Sequence, residues 1–355
     1  MTNARWALWL TLAGCAHAQP QPIWSDDSRS QLAAQGTSID ARKEPPPPQA
    51  APIPAPTPAL VPAVVQTPAP AADDDAALPA DAPVVRLLDA GAKPRTRLRY
   101  RLAGPRTEEV TLTTSMTMAT SMGTITQPEM PTPGMRMLMS IASAPAGKGE
   151  LTSTAKILDA DAVDVPGLLP GLTDKVRAEL RGMKGLTVQE RLTTRGMPIK
   201  VDISVPPDAS ATARSTLERM QGSMNRSTVL PAEPVGVGAR WEVESQVRQS
   251  GIDTRQLSRY RVRELSGTRV GLEIEVEISA GAQEVALPNT NGVSAHLDDM
   301  RGTGTGTADL DLTGVVPQRG HSAVDTRISM KVPAGGQTLS LSTRMKMIMD
   351  VHAGR

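Results

Sequence analysis

From Arg97 onward, apolar and polar residues alternate almost one for one. Val110, Leu112, Met116, Met118 and Met122 are interleaved with Thr111, Thr113, Ser115, Thr117 and Ser121, a period of two that puts the two kinds on opposite faces of a strand. Leu98, Tyr100 and Leu102 alternate in the same way with Arg97, Arg99 and Arg101, and Ile199, Val201, Ile203 and Val205 with Lys200, Asp202 and Ser204. Further along, Val270 to Ile278 carries Glu273, Glu275 and Glu277 between its apolar positions. Val324 to Val332 carries Asp325, Arg327 and Lys331, and Leu339 to Val351 carries Ser340, Ser342, Arg344, Lys346 and Asp350. Two stretches break the rule with helical spacing: Leu169, Leu172, Val176 and Leu180, ending near Gly182 and Gly185, and Ala213, Leu217, Met220 and Met224 behind Asp208 as N-cap.

Strands with one apolar and one wet face belong to antiparallel sheets, because parallel strands are covered on both sides. On the order of ten to twelve such segments exceed what a flat open sheet carries. The predicted fold is therefore mainly β with two helices: a large curved antiparallel sheet, half-barrel or barrel-like, packed on helices whose apolar stripes lie against its apolar face.

The pattern is absent before residue 86. Arg5 followed by the apolar run Trp6 to Leu12 is too short to cross a bilayer core that needs about 20 apolar residues. It has the form of an export signal. Leu12, Ala13, Gly14 and Cys15 resemble the lipobox of a bacterial lipoprotein precursor, which implies that the Cys15 thiol is acylated and that Cys15 becomes the mature N-terminus. Cys15 is the only cysteine, so no disulfide or thiolate metal cluster is expected. Ala16 in place of aspartate points to the outer membrane, with the folded part facing the periplasm or the cell surface. Residues 16–85 are rich in proline, alanine and small polar residues, including Pro45 to Pro48. They bury too little apolar surface to fold and read as a spacer. The expected organisation is a signal peptide over 1–15, a tether over 16–85 and one β-rich domain over 86–355.

Composition narrows the function. Phenylalanine is absent and aromatics are 2% of the chain, which argues against a membrane-spanning barrel with aromatic girdles. A formal net charge of +1 gives no basic excess for nucleic acid. The core is left to Leu, Val, Ile and the 17 methionines, three groups of which sit at strand spacing: Met116, Met118 and Met122; Met135, Met137 and Met139; Met345, Met347 and Met349. Three readings compete: methionine as adaptable filler of irregular space, methionine as the lining of a deformable cavity for apolar ligands such as acyl chains, and thioethers as Cu(I) ligands.

Enzymatic signatures are weak. The four histidines are scattered. Ser153 and Lys156 match an S-x-x-K pattern but lack its companion elements and fall in a predicted strand. Gly302, Gly304 and Gly306 alternate with threonines as a glycine-rich strand or bulge, with no helix following to make a phosphate loop. Asp159, Asp161 and Asp164 lack the glycine and terminal glutamate of a calcium loop. No catalytic residue, cofactor or metal site is expected.

The segment LPAEPVGVGARWEV, with Leu230, Pro231, Pro234, Val235, Gly238 and Trp241, and the later GTGTGTADLDLTGVV, with Asp309, Asp311 and Gly314, resemble an uncharacterised β-rich domain family of bacterial lipoproteins over about residues 95 to 351. The resemblance implies fold and envelope location and carries no catalytic residue. At the level of topology alone there is an analogy to half-barrel lipoprotein carriers of the periplasm. The leading expectation is a non-enzymatic, membrane-anchored domain that binds a lipid or acyl chain in a cavity lined by Met116, Met118, Met137, Met139, Met345 and Met347. The alternatives are a module that docks an envelope protein through the Leu98 to Leu102 strand, and a Cu(I)-handling protein.

Overall fold

The period-two segments form one sheet. The computed structural model describes residues 78–147, 149–168, 171–204, 228–249, 251–286, 294–334 and 337–354. Cys15, most of the expected tether and the helix expected at Ala213 to Met224 lie outside the described residues. The strands are β1 (Val84–Asp89), β2 (Arg106–Met122), β3 (Ile125–Thr126), β4 (Met130–Pro131), β5 (Gly134–Gly147), β6 (Glu150–Val163), β7 (Thr187–Thr193) and β8 (Pro198–Ser204). They continue with β9 (Arg240–Gln249), β10 (Ile252–Ser266), β11 (Arg269–Ala280), β12 (Gln283–Ala286), β13 (Ser294–Asp311), β14 (Pro317–Ala334) and β15 (Gln337–Ala353). Among the described residues there is one α-helix, α1 (Leu172–Leu180), followed by a single 3-10 turn over Arg181–Met183.

The order along the sheet is β1-β9-β10-β11-β13-β14-β15-β2-β5-β6-β7-β8, and the pairings along it are antiparallel. β1 and β8 end the path without pairing to each other, so the sheet is open. Two meanders make it up. β2, β5, β6, β7 and β8 run outward from the middle; the chain then returns beside β1, and β9 to β15 run inward to meet β2. Folded structure begins before residue 86, since β1 opens at Val84 and Leu78 and Ala82 pack against the core.

Every core cluster lies on one face. On that face Val110, Met135, Met137, Met139, Ile141, Ile157 and Val188 are covered by Val176 and Leu180 of α1, which places this helix where its apolar stripe predicted. Gly171, in the left-handed conformation at φ 75°, starts the helix without a side-chain cap. Arg177 docks it through Asp161 at 2.8 Å and Asp164 at 3.7 Å, and also pairs within the helix with Asp174 at 2.6 Å. Two of the aspartates considered as a calcium loop are thus helix anchors. A second cluster joins Leu151 and Leu192 of β6 and β7 to Trp241, Val262 and Leu272 of β9, β10 and β11. Those flanks are separated by five strands in the order, so the sheet must roll for them to share a core. A third, with Ile252, Leu297, Ile328, Met330 and Leu341, gathers at the opposite ends of β10 to β15.

The segment Leu98 to Leu102 departs from expectation. It is extended, as its alternation predicted, but it is not a strand. Thr96 makes an isolated bridge to Val235, Tyr100 N–H donates to the Thr194 carbonyl at 2.8 Å, and Arg101 N–H to that of Leu312 at 2.6 Å. Leu98 and Tyr100 are fully buried, as their alternation with arginines predicted; Arg99 is buried too, at 8% exposed, while Arg97 and Arg101 are exposed.

Its partner is the stretch that carries the leucine–proline–glycine–tryptophan motif. Five successive carbonyls, outside any ladder, each accept a side-chain donor: Thr228 from the Tyr100 hydroxyl at 3.0 Å, Val229 from Trp241 Nε1 at 3.0 Å, Leu230 from Arg195 Nε at 3.1 Å, and Pro231 and Ala232 from the Arg99 guanidinium at 3.0 Å each. Buried carbonyls without ladder partners are costly, and these donors satisfy them. Gly236 is required here because a Cβ would lie 1.8 Å from the Ala92 carbonyl oxygen.

Candidate functional site

The other face of the sheet is charged. Glu242 of β9 accepts from Arg86 of β1 and from Arg259 of β10, the latter at 2.9 Å, and Arg259 also reaches Glu277 of β11. Arg344 and Asp325 pair across β15 and β14. The hydrogen bonds from Arg86 and then Arg259 hold the Glu242 carboxyl below its usual range, and that from Arg344 does the same for Asp325. A groove of about 490 Å³ on this side is lined by Asp89, Arg240, Arg259, Arg261, Glu273 and Glu275 with Trp241 and Tyr260 beneath; within it Arg261 pairs with Glu273 at 3.4 Å and Arg240 with Asp89 at 3.7 Å. An apolar covered face and a charged outer one is the reverse of a lipid-spanning barrel wall, whose outward side is apolar.

The apolar face is not uniformly covered. Register brings its residues into rows, because directly opposed side chains share a face. One row runs Met130, Met118, Met345, Thr326, Gly302, Ile278, and the next runs Met116, Met347, Val324, Gly304, Val276. Met118, Met345, Met347, Val324, Val276 and Ile278 are only half-buried. The rows end in an apolar margin: Met122 is 42%, Met130 48% and Ile125 65% exposed, with Ile125 opposite Met122.

The chain holds this margin in place from the charged side. After the turn at Gly123, β3 and β4 fold back along β2. Glu129, next to Met130 and pointing the other way, accepts from the Thr117 hydroxyl at 2.7 Å and from Lys346 Nζ at 3.0 Å. Those two bonds depress the Glu129 carboxyl. Thr132 N–H then donates to the Met116 carbonyl at 2.9 Å and aligns the start of β5.

The six methionines read from the sequence thus divide. Met118, Met345 and Met347 lie together on the open rows; Met116 is beside them but 5% exposed; Met137 and Met139, 3% and 4% exposed, are sealed beneath α1. Met122, Ile125 and Met130, which complete the open patch, were missed. Spacing places Met122 on the face of Met118, but only the fold-back of β3 and β4 shows that Ile125 and Met130 share it.

Met118, Met345 and Met347 form a shallow shelf on the described apolar face. A small, partly open cavity on the apolar face, lined by Ile141, Ser153, Ala155, Val188, Glu190, Val315 and Val316, measures about 30 Å³, room for one water and not for an acyl chain. Ser153 points into the apolar face and Lys156, three residues on, is exposed on the other, so the S-x-x-K pair does not meet. His296 pairs with Glu284 and His321 with Asp350, each at 2.8 Å at the surface. Among the described residues no three His, Cys, Asp or Glu side chains are grouped to hold a metal ion, and no helix is long and apolar enough to cross a membrane.

Fold and site together define an open antiparallel sheet with one charged face and one apolar face left partly bare. No protein-family model and no curated protein matches this chain. Among solved structures it is similar to lipovitellin, in a structure described by its lipid–protein interactions, with a TM-score of 0.33 and 14% identity over 72% of this chain; it spans 26% of the lipovitellin chain. It is also similar to an outer membrane channel from Pseudomonas putida F1, with a TM-score of 0.21 and 5% identity over 72% of this chain and 97% of that one. Likeness at these scores carries no functional inference, and the site is read from its own residues.

Proposed function

We propose that this protein is a non-enzymatic lipoprotein of the bacterial cell envelope, anchored through Cys15 to the outer membrane, whose β domain binds an acyl chain or similar apolar ligand on the open methionine shelf. The observation that carries the reading is the half-buried Met118, Met345 and Met347, continued by Val324, Val276 and Ile278 across the glycines of β13 and ending at the exposed Met122, Ile125 and Met130. Exposed apolar surface that clusters, rather than scattering singly, marks an interaction site. Thioether side chains have three rotatable bonds and adapt to a chain of variable shape. The carrier analogy and the lipobox agree with this reading, which needs no catalytic group.

Docking of an envelope protein is the rival; of the arginine face first considered for it, Arg99 is buried against Pro231 and Ala232, and Arg97 and Arg101 are exposed.

The test is photolabelling of the full chain, reconstituted in vesicles containing a fatty acid with a diazirine on its acyl chain, followed by peptide mapping. Label concentrated in 116–130 and 345–349, and displaced by unlabelled fatty acid, is the expected result. Label confined to the N-terminal anchor region, or spread equally over charged-face positions such as Thr303 and Arg327, would overturn it.

A further inference from the structure

We propose that Met118, Met130 and Met345 form a binding site for a soft monovalent cation, Cu(I) or Ag(I). The three methionines come from β2, β4 and β15, three adjacent strands, and form one cross-strand row: Met130 opposite Met118, and Met118 opposite Met345. Met116 and Met347 form the adjoining pair. Directly opposed residues have Cβ atoms about 4.5–5.5 Å apart, and each methionine places its sulfur on a flexible arm, so three thioethers can converge above the strands. Met130 is 48% exposed and Met118 and Met345 half-buried, so an ion from solution has access.

The donor set decides which ion. Thioethers are soft and uncharged, and they select Cu(I) over harder divalent ions, which take imidazole, carboxylate or thiolate. The nearest carboxylate, Glu129, lies on the opposite face and is committed to Thr117 and Lys346. With neutral ligands a bound ion keeps its full charge, which an apolar surface tolerates better for one charge than for two. Bland filling explains this row poorly. Strands prefer β-branched and aromatic residues, and at Met130 nearly half the side chain is bare, so packing gives no reason for a methionine there.

The site uses the same shelf as the proposed acyl binding but requires sulfur, whereas an acyl chain requires only apolar area. Leucine separates the two. The full chain is titrated with Ag(I), and with Cu(I) under reducing conditions against a chromophoric Cu(I) chelator, and stoichiometry is read by native mass spectrometry. Wild type is expected to take one ion. The triple variant M118L/M130L/M345L should bind at least about tenfold more weakly; the acyl reading is tested apart from this, by fatty-acid photolabelling of the wild type. The matched triple M135L/M137L/M139L, beneath α1, should bind like wild type. Methyl resonances of 13C-methionine provide a second reading that needs no variant: those of Met118, Met130 and Met345 should shift with one equivalent of Ag(I), and those of Met137 and Met139 should not. Equal binding by wild type and M118L/M130L/M345L, or shifts spread over all methionines, would overturn the site; so would Zn(II) displacing Ag(I) at equal concentration.

Discussion

At the residue scale, the most exacting chemistry surrounds five backbone carbonyls, 228–232, and the donors Tyr100, Trp241, Arg195 and Arg99. Tyr100→Phe keeps the ring and removes only the donor to Thr228. It should cost about 1–3 kcal/mol, read as a lower urea midpoint at unchanged slope. The two tyrosines offer an optical check. Tyr100 is buried and Tyr260 half-buried, and both phenols are pushed above their ordinary value, mainly by desolvation. A group held neutral in the fold contributes stability below its unfolded pKa of about 10 and loses that contribution as pH rises past it. Tyrosinate absorbance should therefore appear together with loss of far-ultraviolet circular dichroism in an alkaline titration. Tyrosinate in a chain that kept its strand signal would contradict the desolvation described for both phenols.

At the scale of elements, period two was a faithful guide to extended backbone and a poor one to ladders. β2, β8, β11, β14 and β15 fall where alternation put them, and the glycine-rich run is the middle of β13. Arg97 to Leu102 alternates as cleanly but bonds to three separate loops and turns, because alternation reports which side chains are buried and is silent on what the backbone bonds to. Register was also unreadable locally: Met118 faces Met345 only because strands far apart in sequence pair. For the same reason the split of the methionines into a sealed set under α1 and an open set could not be foreseen. The glycines of β13 have a role that only the pairing reveals. A Cβ on Gly304 would sit 2.8 Å from Val324 Cγ2 and from the Ala323 carbonyl oxygen, so β14 leans across β13 where the sheet rolls. Gly304→Ala should destabilise by about 1–3 kcal/mol, measurable by thermal unfolding. On the charged face, Glu242 bridges β1 and β10. Because its pKa is depressed, its contribution is present above the unfolded carboxylate value of about 4.3 and is lost as pH falls through the folded value. Glu242→Gln should flatten the acid limb of a stability–pH curve while costing roughly 1 kcal/mol near neutral pH. An acid limb unchanged by the substitution would remove Glu242 from the account.

At the scale of the molecule, two meanders from different parts of the chain meet along one seam, where Val110–Met122 pairs with Leu341–Ala353, and the bare methionine shelf straddles it. Until β15 arrives, β2 has an unpaired edge carrying Met116, Met118 and Met122, with residues 123–336 lying between the two strands in sequence. Pairing over so long a separation is slow, because loop closure must precede the reward of contact. The shelf is therefore among the last features a refolding chain can complete, and a partly folded chain presents a methionine-bearing strand edge open to other chains. Assembly of the proposed binding face and protection from aggregation become one event, the closing of a single seam, so any factor that grips β2 before β15 is in place would govern both how much protein survives and how much of it carries a complete shelf.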